Sequence, residues 1–354
     1  MPLRFRGFRR KLPHDEDVFI IQQIALMLRV GIPLPKIFSI LASHDHGRYR
    51  AAFEDVRKGI VVGNTLERSM RSHEEMFNPT MLNLIRIGEL RGDLPPVLDQ
   101  YVASARIQQR LRRKITGTLT YPAIVVSAMA ALGILASVVV FPEIERLFTG
   151  FELALPLPPR MVIAFSHFMG TYGIALVVLL FAAVALGVVA YHRFYPMRVA
   201  VHRFTLRLPV FGRLVTEHQL SAIMRNLGML LRAGMPIIDV LEACRGATGN
   251  TEYRRTLEEA KTQLRKGNQL HPTFLRYPAL YPSVASELVA IGEETGTLQD
   301  VSGDLASFYE ERVFAALETL PSIIEPVLIF LIGSGIALVA VSILLPMYRF
   351  SASI

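Results

Sequence analysis

The chain has 354 residues, of which 51% are hydrophobic and 19% charged, and its formal net charge is +8 at pH 7. With a positive mean hydropathy it is too apolar for a usual soluble protein, which points to membrane segments. The lone Cys244 excludes a disulfide framework, and the positive charge requires no nucleic acid, because basic segments beside a membrane suit anionic lipid headgroups.

Residues 1–16 are a basic lead carrying RFRGFRRK, and a first helical domain is predicted over 17–117. There Phe19, Ile24 and Leu28 share a helical face that runs into MLRVGIPLPKIF, residues 27–38. Gly31 is placed just past the helix end, where a left-handed backbone is accepted, and Pro33 suits the first turn of the next helix. The stretch therefore predicts an antiparallel helix pair. The His-Asp-His run at 44–46 reads as a helix end before Gly47 rather than as a metal site, because a spacing of two does not put both rings on one face. In LIRIGELRGDL, residues 84–94, Gly88 and Gly92 read as structural turns.

The segment RLRRK at 110–114, with Arg112, Arg113 and Lys114, leads to a membrane entry at Tyr121 and Pro122. Residues 123–141 carry no charge and are long enough to cross a hydrocarbon core of about 30 Å, which gives a first transmembrane helix over 118–141. A loop follows over 142–160. The uncharged run 161–191 exceeds one span, so 161–192 is read as a second transmembrane helix with an interfacial lead.

A second helical domain is predicted over 193–320. Leu220, Ile223, Leu227, Leu230 and Leu231 form one face that enters LLRAGMPIIDVL, residues 230–241, with Gly234 and Pro236 at the turn. In AIGEETGTL, Gly292 and Gly296 read as turns, and Thr297 followed by Asp300 reads as a helix cap. A third transmembrane helix over 321–348 is entered at Glu325 and Pro326, and 349–354 is a short tail. None of these spans reads as a removable signal sequence.

The two helical domains are copies of one another. A shift of 204 residues places Gly63, Asn64 and Leu66 on Gly267, Asn268 and Leu270, Phe77 on Tyr281, and Leu84, Ile87, Gly88, Glu89, Gly92 and Leu94 on their counterparts. It also places Pro122 on Pro326, whereas the Arg-x-Gly-x-Pro turns need a shift of 203, so one residue was gained or lost between them. Lys and Arg crowd both domains, while the 142–160 loop holds only Arg146 and Arg160 and the tail only Arg349. Both domains are therefore expected on the cytoplasmic side, with the loop and the tail outside. Two like domains in one solvent also demand an even number of crossings between them.

Glu325, before an apolar run, is costly as an ion unless hydrated, paired or protonated. It reads either as a shallow residue at headgroup depth, as a partner of Arg112, Arg113 or Lys114, or as a proton-transfer group. The adjacent Glu293 and Glu294 read either as part of a corner or as an exposed contact or cation-binding face. Searches for a phosphate-binding G-x-x-x-x-G-K-[ST] loop, a G-x-S-x-G elbow or an H-E-x-x-H helix find nothing. No catalytic residue, metal site or cofactor is therefore expected.

The paired Arg-x-Gly-x-Pro turns, G-[ND]-x-L, Gly-Glu-x-x-Gly-x-Leu, the TYP and EP membrane entries and the loop FPEIERLFTGFELALP together resemble the platform proteins of bacterial type II secretion and type IV pilus machines, the GspF/PilC family. The loop departs from the family pattern at Leu147 and after Pro156. The resemblance implies an all-α membrane protein with two homologous cytoplasmic helical bundles and three transmembrane helices in the bacterial inner membrane. It implies a non-enzymatic part that links a cytoplasmic hexameric assembly ATPase to pilin or pseudopilin, among other inner-membrane machine components and as a homo-oligomer, without nucleic acid. Glu89, Glu293, Glu294, Arg112, Arg113 and Lys114 are the expected exposed contacts. A transporter built from a duplicated unit, or a membrane-anchored scaffold unrelated to pili, are the competing readings.

Overall fold

The computed structural model describes residues 14–44, 49–73, 76–135, 185–191, 193–208 and 211–352, with scattered positions from 164 to 183. Among the described residues the chain is helical and has no strand. It divides into two compact units, one of residues 1–113 and 199–314, the other of 114–198 and 315–354.

The first unit holds both copies of the repeat. In the first copy α1 (His14–Arg29), α2 (Leu34–His44), α3 (Arg50–Val61), the short α4 (Leu66–Arg71) and α5 (Pro79–Arg91) lead to α6 (Leu94–Leu135). After α7 (Tyr195–Arg207), the second copy repeats the order in α8 (Phe211–Arg232), α9 (Ile237–Ala247), α10 (Thr251–Arg265), α11 (His271–Leu275), α12 (Ser283–Thr295) and α13 (Leu298–Ala352). From α1 to α5 and again from α8 to α12 each helix packs on the next, and the buried apolar side chains of both copies form one continuous core.

The turns expected at Gly31 and Gly234 are present. Gly31 N–H donates to the Leu28 carbonyl at 2.9 Å and Ile32 N–H to Met27 at 3.0 Å, and the second copy repeats this with Gly234 to Leu231 at 2.7 Å and Met235 to Leu230 at 3.0 Å. These bonds satisfy carbonyls that the ending helix leaves open, and they require the positive φ of 83° and 84° that glycine supplies. The Pro33 and Pro236 carbonyls then accept from Ile37 at 3.1 Å and Val240 at 3.0 Å, which starts the next helix.

Gly92 and Gly296 end α5 and α12 in the same left-handed way. Gly88 and Gly292 do not lie at turns but inside these helices. A β-carbon at Gly88 would stand 3.2 Å from the Leu94 Cα, and one at Gly292 3.0 Å from the Leu298 Cα. Their role is thus close approach, letting the following helix fold back directly over the one that just ended. At Thr297 the difference is smaller. Its carbonyl, rather than a side-chain cap, accepts from Asp300 and Val301, while the Asp300 carboxylate turns to Arg232 at 2.9 Å.

Inside the core the copies differ in compensating pairs. Tyr281 stacks on Phe274 with ring centroids 4.0 Å apart, and its hydroxyl pairs with Thr256 Oγ1 at 2.8 Å. The first copy has Phe77 and Ala52 at these places, so the buried hydroxyl and its partner are absent together. That is the pattern expected when one unpaired buried hydroxyl costs more than the hydrogen bond contributes.

In the second unit, the later turns of α6 and α13 expose Ile124, Val126, Leu132, Ile134, Val327, Ile329, Phe330 and Leu331. Among the described residues two helices, Leu94–Leu135 and Leu298–Ala337, are long and apolar enough to cross a membrane. Pro122 lies within α6 and Pro326 within α13, so neither proline begins a helix; each leaves the carbonyl four residues earlier without its amide partner. The lead before His14, the 44–46 side chains, the 142–160 loop and most of the 161–192 span lie outside the described residues.

Candidate functional site

The residues singled out by sequence fall at two places, the Gly-Glu corner of each bundle and the basic approach on α6. At the corner, the short helices α4 and α11 start with backbone N–H groups that have no partner within the helix. Glu89 supplies both carboxylate oxygens to them, accepting from Leu66 N–H and, at 2.9 Å, from Glu67 N–H. Glu293 repeats this from Leu270 N–H at 2.5 Å and His271 N–H at 2.8 Å, with His271 Nδ1 a further 3.2 Å away. A carboxylate is well placed there, because a helix N-terminus carries partial positive charge.

Glu89 and Glu293, expected as exposed contacts, are therefore engaged within their own bundles. Glu294, one residue on, is exposed. The repeat itself carried the signal that separates them: Glu293 has a counterpart at Glu89, as do the helix starts Leu66 and Leu270, whereas Glu294 answers to Leu90.

On the basic approach, Lys114 Nζ meets Glu318 Oε1 at 3.1 Å. These two positions are separated by 204 residues, so each is the other's counterpart in the repeat. Here the two long helices α6 and α13 meet through equivalent positions of the repeat. Arg112 and Arg113 are exposed on the preceding turn. Glu325 and Tyr121 are exposed as well, and Glu325 makes no hydrogen bond or ion pair among the described residues. Of the readings of Glu325, the pairing with a base of this segment is not the one Lys114 makes, since Lys114 meets Glu318, seven residues or about 10 Å earlier along the helix.

Polar clasps tie the first helix of each bundle to the long one. Arg106 on α6 donates to Gln22 on α1 at 2.6 Å, and Arg225 on α8 donates to Glu310 on α13 at 2.9 Å. The two clasps occupy corresponding positions, but donor and acceptor have changed helices. Glu217, almost buried, is held by Arg213 at 3.0 Å and Arg312 at 2.8 Å. On α9, hydrogen bonds from Arg245 and Lys261 pull the Glu242 carboxyl down to about 2. Burial pushes the neighbouring Cys244 thiol up to about 12, which leaves it protonated and unreactive at neutral pH. Among the described residues no group of three or more His, Cys, Asp and Glu is placed to hold a metal ion.

A contact between the bundles was not anticipated from sequence. Helix α5 of the first packs on α9 of the second, and the Arg91 guanidinium lies against Gly234. Gly234 is thus both a helix terminus and the seat of a cross-domain contact, and no local pattern marks the second role.

The geometry of a bundle twice repeated, each continuing into a long apolar helix, agrees with comparison to known families. The family described as Type II secretion system (T2SS), protein F, matches at residues 20–142 and again at 223–346, so the matched stretches begin 203 and end 204 residues apart. The chain belongs to this family. It is 28% identical to the type IV pilus assembly protein PilC of Pseudomonas aeruginosa over 344 residues, covering 97% of this chain and 92% of that protein. It is 31% identical to the PilC of Thermus thermophilus over 342 residues, covering 95% and 83%. The type II secretion system protein F of Pseudomonas aeruginosa is 27% identical over 344 residues, covering 96% and 84%. The matched bounds include the first and last apolar stretches, so the duplicated unit is a bundle together with a long apolar helix rather than a bundle alone.

Proposed function

We propose that this protein is the inner-membrane platform of a type IV pilus or type II secretion machine, receiving work from a cytoplasmic assembly ATPase and passing it to pilin or pseudopilin subunits as they are added. The observation that carries the reading is the coupling of architecture to family: two like bundles, each running into a long apolar helix, in a chain related along nearly its whole length to pilus assembly and secretion proteins. A relay of this kind needs rigid levers and exposed contacts and no reactive group, so the role is non-enzymatic and needs no cofactor. In the proposed topology both bundles and the N-terminus are cytoplasmic, the chain crosses three times, at 118–141, 161–192 and 321–348, and the 142–160 loop and the tail are periplasmic. Glu294, Arg112 and Arg113 are the exposed positions offered to the ATPase.

The test is photocrosslinking in cells from Glu294 and Arg112 to the assembly ATPase of the same cells, with piliation and secretion scored after deletion. Crosslinks with loss of piliation or secretion support the platform; loss of solute uptake as the sole deletion phenotype favours a transporter and overturns it.

A further inference from the structure

The contact between the two bundles is heterologous: the first bundle uses its α5 face, the second its α8–α9 corner. Because the bundles are copies, each also possesses the surface the other uses, and burial records which surfaces are occupied. On α5 the stripe Thr80, Leu84, Ile87 is buried, with Ile87 8% exposed; the corresponding stripe on α12, Val284, Leu288, Ile291, is open, with Ile291 at 52%. At the corner, Met229 and Ala233 are 5% and 4% exposed, while their counterparts Leu26 on α1 and Val30 just past its end are 59% and 70% exposed. A groove of about 870 Å³ opens on this same free face of α1, lined by Phe19, Gln23 and Leu26 among others.

We propose that a second copy of this chain occupies both free faces, the α12 stripe of one copy docking on the α1–α2 corner of the next and reproducing between chains the contact that α5 and α9 make within one. Charge supports this occupant. Within the chain, α5 carries Arg86 and Arg91 and packs on α9, which carries Asp239; α12 carries Glu287 and Glu294 at other positions of the repeat, and α2 carries Lys36, the counterpart of Asp239. Both pairings are attractive with their signs reversed, so the acidic α12 face is turned away from the acidic α9 and toward α2. A contact of this head-to-tail type, repeated by one operation, closes into a ring or continues as an open chain. The proposal gives an interface to the homo-oligomer that the family resemblance implies, and it rests on the repeat, not on the ATPase.

The experiment uses two differently tagged full-length chains co-expressed in membranes, one Val30→Cys and the other Ile291→Cys, joined by a short bis-maleimide and then purified in detergent. Buried Cys244 contributes no background. The expected result is a mixed-tag dimer with both variants present and none from either alone, with Lys36→Glu lowering the yield about tenfold and Glu287→Lys with Glu294→Lys in the same pair restoring it. Dimers from Val30→Cys alone or Ile291→Cys alone overturn the head-to-tail arrangement, as does a strictly monomeric chain by light scattering. Crosslinks that join these positions to other proteins and never to each other overturn it too, by assigning the faces to another component. None of these outcomes depends on pilus or secretion phenotypes, so the platform reading stands or falls separately.

Discussion

Replacing Glu293 by alanine is expected to loosen the start of α11 while leaving the rest of the second bundle folded. The substitution removes two acceptors at once, and with them the hydrogen bonds at 2.5 and 2.8 Å to the amides of Leu270 and His271. Hydrogen bonds to a charged acceptor contribute about 1.5–3 kcal/mol each when buried, and loss of a helix cap costs about 0.5–2 kcal/mol. Water can reach a site that is only part-buried, which returns some of this, so a local loss of about 2 kcal/mol is expected, or roughly thirtyfold faster amide exchange. Hydrogen–deuterium exchange of the full chain in detergent, followed in peptides spanning 266–276, measures it directly. Glu294→Ala is the control, since that side chain is exposed and its exchange should match wild type. Glu89→Ala should produce the same opening over 62–72. Equal exchange in Glu293→Ala and wild type, or an effect as large from Glu294→Ala, would refute the corner assignment.

Three further outcomes follow from the same geometry. Thr256→Ala strands the buried Tyr281 hydroxyl and should cost about 1–3 kcal/mol, whereas adding Tyr281→Phe, which recreates the Phe77 and Ala52 pair of the first copy, should recover most of the lost thermal stability; a double variant no better than the single one contradicts the pairing. Gly228→Ala would press a β-carbon to 2.9 Å from the Gln299 carbonyl oxygen and should destabilise by about 1–3 kcal/mol, while Gly303→Ala meets only the Arg232 guanidinium at 3.6 Å and should stabilise by up to about 1 kcal/mol through helix propensity, both read from melting in detergent. Glu242 has its folded pKa lowered from 4.5 to about 2, so the stability it contributes is fully present above the unfolded value and drains away as pH falls from about 5 toward 2; Glu242→Gln should flatten that part of the wild-type pH profile.

The bundles were legible in the sequence because their ends are written in residues with few alternatives. Gly31 and Gly234 occupy a backbone region that other residues enter at a cost, so their spacing from Pro33 and Pro236 announces the turn before any packing is known. Gly88 and Gly292 were identified as constrained but misassigned, because the atoms that exclude a β-carbon belong to the next helix, whose path the local pattern does not specify. Adjacent Glu293 and Glu294 differ by one step of about 100° around α12, and sequence shows two carboxylates without saying which one faces α11. Pro122 and Pro326 mark the membrane entries in sequence, where a proline can begin or bend a helix; the structure places both inside continuous helices, where the missing amide is tolerated. Least readable was the burial of Met229 beside the exposure of Leu26, since apolar residues at equivalent positions of the two copies carry no local mark of what will cover them.

The two copies have diverged in two physically distinct ways, and the distinction bears on function. Where side chains are buried or clasped, changes come in compensating pairs: Tyr281 with Thr256 against Phe77 with Ala52, and Arg225 with Glu310 against Gln22 with Arg106. Such pairs keep every polar group satisfied and leave the bundle unchanged, so they record drift under the constraint of a common fold. At the surface the changes reverse sign without a compensating neighbour in the same bundle, as in Lys36 against Asp239, or introduce charge, as in Leu90 against Glu294. An unpartnered surface drifts with little constraint, so these reversals gain their meaning from the proposed contact: two bundles that meet by unlike faces need each face to distinguish the neighbour in its own chain from the neighbour beyond it, and a reversed charge supplies that distinction without disturbing the apolar contact both faces share.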